Sequence, residues 1–367
     1  MLYLLVFFVS VAIAWLATIV VRHVALRLQV IDRPNQERKI HTTPIPLLGG
    51  VAIFISFWSV IGFLTAFTDI LPARYISSRF LVGLFVAGAV LMIGGFIDDR
   101  FNLRPRFLLI APIVAILVVV ATGMGIEFVS NPFGGGLWHL DALQWQLFEL
   151  GGHTARFVLL ADTFTVLWLL GMMFTTKFLD GLDGLVSGIT TIGAFILFAL
   201  SLSDKTFQPD VALLAIVLAG ALVGFLFWNA HPARIFLGEG GSVWLGFSLG
   251  VLAIISGGKI ATALLVMGVP ILDVVWVIVR RVFVEKRSPA IGDNKHLHFR
   301  LLTAGLSHQA SVLLLWGLAA FFGVASLFVQ TKGKVYLLSA LVFVMIFLAV
   351  WSAKRSKSFS SQSSDVR

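Results

Sequence analysis

The residues most able to do chemistry in this sequence are acidic, and each sits among unusual neighbours. Asp98 and Asp99 end the apolar run IGGFIDD, with Arg100, Arg104 and Arg106 just beyond. Neighbouring residues on a helix point in different directions, so these two carboxylates cannot serve one point in the same way. Two carboxylates beside arginines suit a site for a cation and a phosphate; an ordinary helix end would look the same. Asp180 and Asp183, in FLDGLDGL, are spaced to share a helix face. Gly181 and Gly184 would let the backbone close on a ligand, and a solvated turn is the plainer alternative. Glu239, in LGEGGS, is bracketed by glycines, a pattern that fits a hard cation such as Mg²⁺ or simply a flexible loop. His296 and His298 are separated by one residue and flanked by Lys295 and Arg300. Zinc would need a further nitrogen or sulfur ligand at standard spacing, and none is present. Phosphate binding suits these residues better, and a solvated basic loop is the alternative. Asp273, in VPILDVVWVIVRR, falls inside an apolar stretch. A charge there is a functional candidate by default, or a cap, or a partner for Arg280 or Arg281.

The elements that must position these groups are set by composition. Of the 367 residues 59% are hydrophobic and 12% charged, against about 25% charged in a soluble domain. One aqueous core cannot hide that much apolar surface, so lipid must cover much of it. There is no cysteine, which excludes disulfides and thiolate metal sites. Runs of roughly 20 apolar residues read as membrane spans. They fall at 2–21, 46–68, 80–97, 107–123, 157–174, 185–203, 211–228, 243–257, 260–279, 311–330 and 334–352, the short, Gly-rich 243–257 being the weakest. The fold class is therefore an all-α polytopic membrane protein of about eleven helices. The segment 124–156, with its NPFGGG turn and alternating residues from Trp138 to Phe148, reads as a small interfacial hairpin. Residues 1–352 form a single transmembrane domain, and the Ser- and Lys-rich tail 353–367 reads as disordered.

Eleven spans put the termini on opposite sides. The loops after odd-numbered spans, with the tail, then hold 20 of the 27 Lys and Arg residues. The positive-inside rule makes that face cytoplasmic, with the N-terminus outside and the C-terminus inside. It also accounts for the net charge of +9 without nucleic acid as a partner. The same face receives Asp98, Asp99, Asp180, Asp183, Glu239 and the histidines. Carboxylates, glycine loops and basic residues there suit phosphate handling with a divalent metal, with a lipid as one substrate.

At these residues the sequence resembles the polyprenyl-phosphate N-acetylhexosamine-1-phosphate transferases. The motifs are DRPNQERKIHTTPIPLLGG (32–50), GGFIDDRFNL (94–103), FLDGLDGL (178–185), NAHPARIFLGEGGS (229–242), PILDVVWVIVRR (270–281) and GDNKHLHFRLLTAGLSHQ (292–309). The resemblance implies transfer of a sugar-1-phosphate from a UDP-N-acetylhexosamine to undecaprenyl phosphate, with release of UMP, at the inner membrane of a bacterium. It implies Mg²⁺ or Mn²⁺ as cofactor, and it admits a homodimer. Asp98, Asp99, Asp180 and Asp183 are its catalytic candidates. Glu239 and Asp183 are the metal candidates. Lys39, His41, Lys177, Asn229, Arg234, Lys295, His296, His298 and Arg300 are the substrate-binding candidates. HLHFRL resembles the N-acetylglucosaminyl type, whereas NAHPA is also typical of the phospho-N-acetylmuramoyl-pentapeptide transferases.

The chain departs from the family pattern at four positions. Lys177 stands where Asn is usual, Glu239 where Asp is usual, and Leu108 and Pro112 where Lys and Gln are usual. A secondary transporter or lipid-sugar flippase is the main alternative. Its charges should lie near the midplane or line a polar cavity, whereas here they lie at span ends and only Asp273 reaches inward.

Overall fold

The computed structural model describes residues 1–34, 43–68, 70–71, 76–131, 136–150, 153–204, 206–257, 259–286 and 295–364. The chain begins with α1 (Leu2–Arg27), the short strands β1 (Ile31–Asp32) and β2 (Ile45–Pro46), α2 (Gly49–Phe67), α3 (Ser78–Phe101) and α4 (Ile110–Ala121). The strands β3 (Phe128–Ser130), β4 (Leu137–His139), β5 (Gln144–Leu150) and β6 (His153–Val158) follow. Then come α5 (Leu159–Leu179), α6 (Leu185–Ser201), α7 (Pro209–Asn229), α8 (Gly238–Ile255), α9 (Ile260–Val266) and α10 (Gly268–Val279). The last helices are α11 (Leu297–Thr303), α12 (His308–Phe328) and α13 (Thr331–Ser364).

This is a multi-pass, all-α membrane protein. Among the described residues eight helices are long and apolar enough to cross a membrane: α1, α2, α3, α5, α7, α8, α12 and α13. A ninth crossing arises if α9 and Gly268–Val284, bent by 79° at their junction, are taken as one broken span. Two further apolar helices, Pro105–Ala121 and α6, are shorter. Every predicted span thus lies on an apolar helix, but length supports eight or nine crossings rather than eleven. The predicted hairpin near 124–156 is two antiparallel hairpins, β3 with β4 and β5 with β6. Helix α13 continues to Ser364, through most of the tail that composition reads as disordered.

Burial orders the bundle. The apolar windows of α7 and α8 are 78% and 89% buried inside the protein, whereas those of α1 and α13 are 28% and 17% buried. The inner pair is the core, and the outer helices turn side chains such as Phe8, Leu16, Phe343 and Phe347 outward. Without a hydrophobic drive between helices in lipid, small residues and close packing hold such bundles together. Helix α8 shows this at two crossings. A Cβ on Gly50 of α2 would overlap Gly241, and a Cβ on Gly95 of α3 would overlap Gly240. These contacts draw α2 and α3 onto the first turn of α8, where Glu239 stands.

The loops are pinned with equal economy. The segment before α8 is held by Phe236 N–H donating to Pro46 at 2.9 Å, and by Gly49 and Gly50 N–H donating to Phe236 and Leu237 at 2.8 Å each. Helix α3 stops at Asn102, which takes a left-handed φ of 50° and returns its N–H to the Asp98 carbonyl, a common helix ending.

Candidate active site

Helix ends place the acidic residues. Asp98 and Asp99 occupy the last turn of α3 and diverge, as adjacent helical residues must. Asp98 Oδ1 accepts the Leu103 N–H at 2.9 Å, securing the turn that follows. Asp99 instead reaches the N-terminus of α8, where both its oxygens accept the Glu239 N–H at 3.1 and 3.2 Å. The positive end of a helix dipole favours a carboxylate there. Gly238, at φ 75°, leaves the room: a Cβ on it would press into Asp99 Oδ2 at 2.6 Å.

Asp180 and Asp183 do not share a helix face. Helix α5 ends at Leu179 and α6 begins at Leu185, so both lie in the connecting turn. Gly184, left-handed at φ 75°, starts the next helix. Solvent reaches Asp180 from one side, yet the protein packed around its carboxyl, with the negative charges of Glu239 and Asp183, pushes its pKa up to about 8. Asp183 is tied down by imidazoles. Its Oδ2 accepts His231 Nδ1 at 2.7 Å and the Ala233 N–H at 3.0 Å, and its own N–H donates to His308 Nε2 at 3.1 Å. His231 and His308 stack at 4.0 Å between ring centroids. Asp183, His231 and His308 present ligand atoms within 4.8 Å of one another.

Further along this side lies the HLH segment. Asp273 faces the start of α11, where it accepts His296 Nδ1 at 2.8 Å and the Leu297 N–H at 2.8 Å. His296 is thereby fixed, stacked between Phe178 and His298. His298 packs against Gly181, where any Cβ would overlap its Nε2. Neither of its ring nitrogens has a hydrogen-bond partner among the described residues. Burial lowers its pKa to about 3, outweighing the charge of Asp273, so at neutral pH it is an uncharged hydrogen-bonding group.

The basic cluster expected around the histidines does not assemble. Residues two apart on a helix point nearly opposite ways. His298 faces Gly181, while Arg300 donates to the Ala349 carbonyl of α13. Lys295 pairs with Glu285 at 2.7 Å. Arg234 is exposed and lies over the Trp228 ring at 5.6 Å. Asn229 is buried, its Nδ2 donating to Ile235 and its Oδ1 accepting from Ser187, so its amide holds the loop. Lys39 and His41 lie outside the described residues.

Lys177 does enter the carboxylate group. Its ammonium lies 2.6 Å from Glu239 Oε2 and 4.0 Å from Asp98 Oδ2. All three line a groove of about 530 Å³ between α3 and α4. The rest of its wall is almost wholly apolar and includes Ile93, Ile97, Ile110 and Val114, residues that are exposed on the flank of the bundle. Leu108 and Pro112, two of the departures noted above, belong to this wall.

The chain matches the glycosyl transferase family 4 profile over residues 81–257. It is 30% identical to a probable undecaprenyl-phosphate N-acetylglucosaminyl 1-phosphate transferase of Bacillus subtilis, over 93% of this chain and 88% of the relative. The protein belongs to glycosyl transferase family 4. Within it, a decaprenyl-phosphate N-acetylglucosaminephosphotransferase of Mycobacterium tuberculosis is 34% identical, over 87% of this chain and 81% of its own. A phospho-N-acetylmuramoyl-pentapeptide-transferase of Desulforamulus reducens is 28% identical over 68% and 79%. The two residues expected to depart from the pattern, at positions 177 and 239, have a spatial relation: they form one ion pair.

The donor chemistry fits a hard divalent cation. Asp98 and Glu239, on one groove wall, are oxygen donors of the kind Mg²⁺ and Mn²⁺ take, and the Lys177 ammonium shows that a cation is accepted at Glu239. Sequence reasoning assigned no role to His231 or His308. Both lie in quoted motifs, NAHPA and GLSHQ, so the signal was present; their pairing through Asp183 was not visible along the chain.

Proposed function

We propose that this protein transfers N-acetylglucosamine-1-phosphate from UDP-N-acetylglucosamine to a polyprenyl phosphate, undecaprenyl phosphate in its host, releasing UMP. The reaction takes place at the cytoplasmic face of a bacterial inner membrane. The observation that carries this reading is the meeting of an apolar groove with the carboxylates of Asp98 and Glu239 and the ammonium of Lys177. A lipid tail fits such a groove, and its phosphate then ends among groups that govern charge. The names of the relatives and the HLHFRL segment favour N-acetylglucosamine over the muramoyl-pentapeptide donor.

In the reaction an oxygen of the lipid phosphate attacks the phosphorus that carries the sugar. A new diphosphate bond forms, the bond to the UMP oxygen breaks, and UMP leaves with that electron pair. Asp98, on the groove wall, would accept any remaining proton of the lipid phosphate as its oxygen attacks. Asp99 positions Glu239 through the α8 N-terminus. Asp180 and Asp183 lie in the turn that the diphosphate would approach, and Gly181 lets the neutral His298 ring pack directly behind that turn. Mg²⁺ or Mn²⁺, held by Glu239 and Asp183, would supply charge neutralisation of the diphosphate, which with positioning accounts for most phosphoryl-transfer catalysis.

The test uses purified protein, undecaprenyl phosphate and a panel of radiolabelled UDP-amino sugars, with and without Mg²⁺. Label is expected in lipid from UDP-N-acetylglucosamine, with its loss in Asp99→Asn and Glu239→Ala. No lipid label from any sugar would overturn the reading, and a trapped covalent enzyme–sugar-phosphate would overturn direct attack.

A further inference from the structure

Glu239 and Lys177 stand on opposed helix ends. Glu239 is in the first turn of α8 and Lys177 in the last turn of α5, so each charge sits where its own helix dipole favours it. The Lys177 side chain is only 15% exposed, and its ammonium lies 2.6 Å from Glu239 Oε2. A divalent ion binds a carboxylate oxygen at about 2.1 Å. Two cations cannot share one oxygen at such distances without strong repulsion, because like charges this close in a partly dry site interact strongly. Asp98 Oδ2, at 4.0 Å, is a second acceptor within reach, and the lysine stem is flexible enough to swing toward it. All three side chains face the same groove.

We propose that Lys177 is a tethered cation that competes with a divalent metal for Glu239. Metal loading requires the ammonium to leave Glu239 for the Asp98 side of the groove mouth, where it faces an incoming phosphate. The unliganded site is therefore already partly neutralised, and its affinity for free metal is low. The metal's catalytic purpose here rests on the transferase reading; the competition itself does not.

The experiment measures Mn²⁺ alone, by electron paramagnetic resonance titration of purified protein without lipid or nucleotide. Lys177→Gln should bind Mn²⁺ at least about tenfold more tightly than the unaltered protein, a change of roughly 1.4 kcal/mol. Lys177→Arg, which keeps the charge, should stay weak. Adding Glu239→Gln to Lys177→Gln should abolish the gain. Equal or weaker Mn²⁺ binding in Lys177→Gln overturns the proposal, as does a gain that survives Glu239→Gln. Lys177→Met serves as a second neutral variant if Lys177→Gln does not fold, and its binding is read the same way. Transfer assays on the same preparations report separately on the transferase reading, which can fail while the competition holds.

Discussion

At one end of the site, carboxylates on the termini of α3 and α8 meet an apolar groove with Lys177 among them. At the other, imidazoles on short connections gather around Asp183 and Asp273. The first end is built by helix crossings and handles charge at the edge of lipid. The second is built by side-chain hydrogen bonds and offers shape-fixed donors and acceptors. The difference suits the two substrates of the proposed reaction: a lipid phosphate, whose tail needs an apolar wall, and a nucleotide sugar, which arrives from water.

That contrast can be broken in four ways. Asp98→Asn should cost most, about 100-fold or more in kcat, the scale of losing a positioned acid–base group; thermal stability should hold, and nucleotide-sugar binding measured by calorimetry should persist. Loss of nucleotide binding as well would merge the two ends into one. Asp273→Asn should act on the other end. It loosens His296 and raises KM for the UDP-sugar by about tenfold, while KM for the lipid stays put; a tenfold effect is the scale of one charge-assisted hydrogen bond. Leu108→Asn removes apolar wall and should raise KM for the lipid by about fivefold, the scale of roughly 1 kcal/mol of apolar contact, with the nucleotide KM unchanged.

The smallest effect concerns pH. Asp180 keeps its proton in the folded protein up to about 8, whereas its ordinary value is 3.8. Between those values the folded state holds a proton that the unfolded chain has lost, so this group's contribution to stability falls as pH rises. Asp180→Asn should flatten the Tm profile across that window, most visibly at its alkaline end. An unchanged slope would mean that Asp180 ionises normally.

Much of the bundle and the acidic set was legible because apolar runs and clustered carboxylates are properties of type and spacing. Lys177 and Glu239 were individually conspicuous, but their contact joins positions 62 residues apart through a helix crossing. The shared helix face expected for Asp180 and Asp183 failed for a local reason: Gly184 adopts a left-handed φ and the turn intervenes. Lys295, Arg300 and Arg234 carry charges that suit a phosphate, yet Glu285, the α13 backbone and Trp228 engage them. Composition reveals a charge; only the direction of the side chain reveals what it serves. The groove had no sequence signature, because its walls are built from the same Ile, Leu and Val as the lipid-facing surface.

The groove wall continues into exposed Ile93, Ile97, Ile110 and Val114 on the flank of the bundle. A substrate taken through that flank never leaves the bilayer plane. Its supply is then governed by surface density: turnover at low lipid should follow the mole fraction of acceptor in the membrane, and diluting it with inert lipid should slow the protein even when the total amount of acceptor in the sample is held constant.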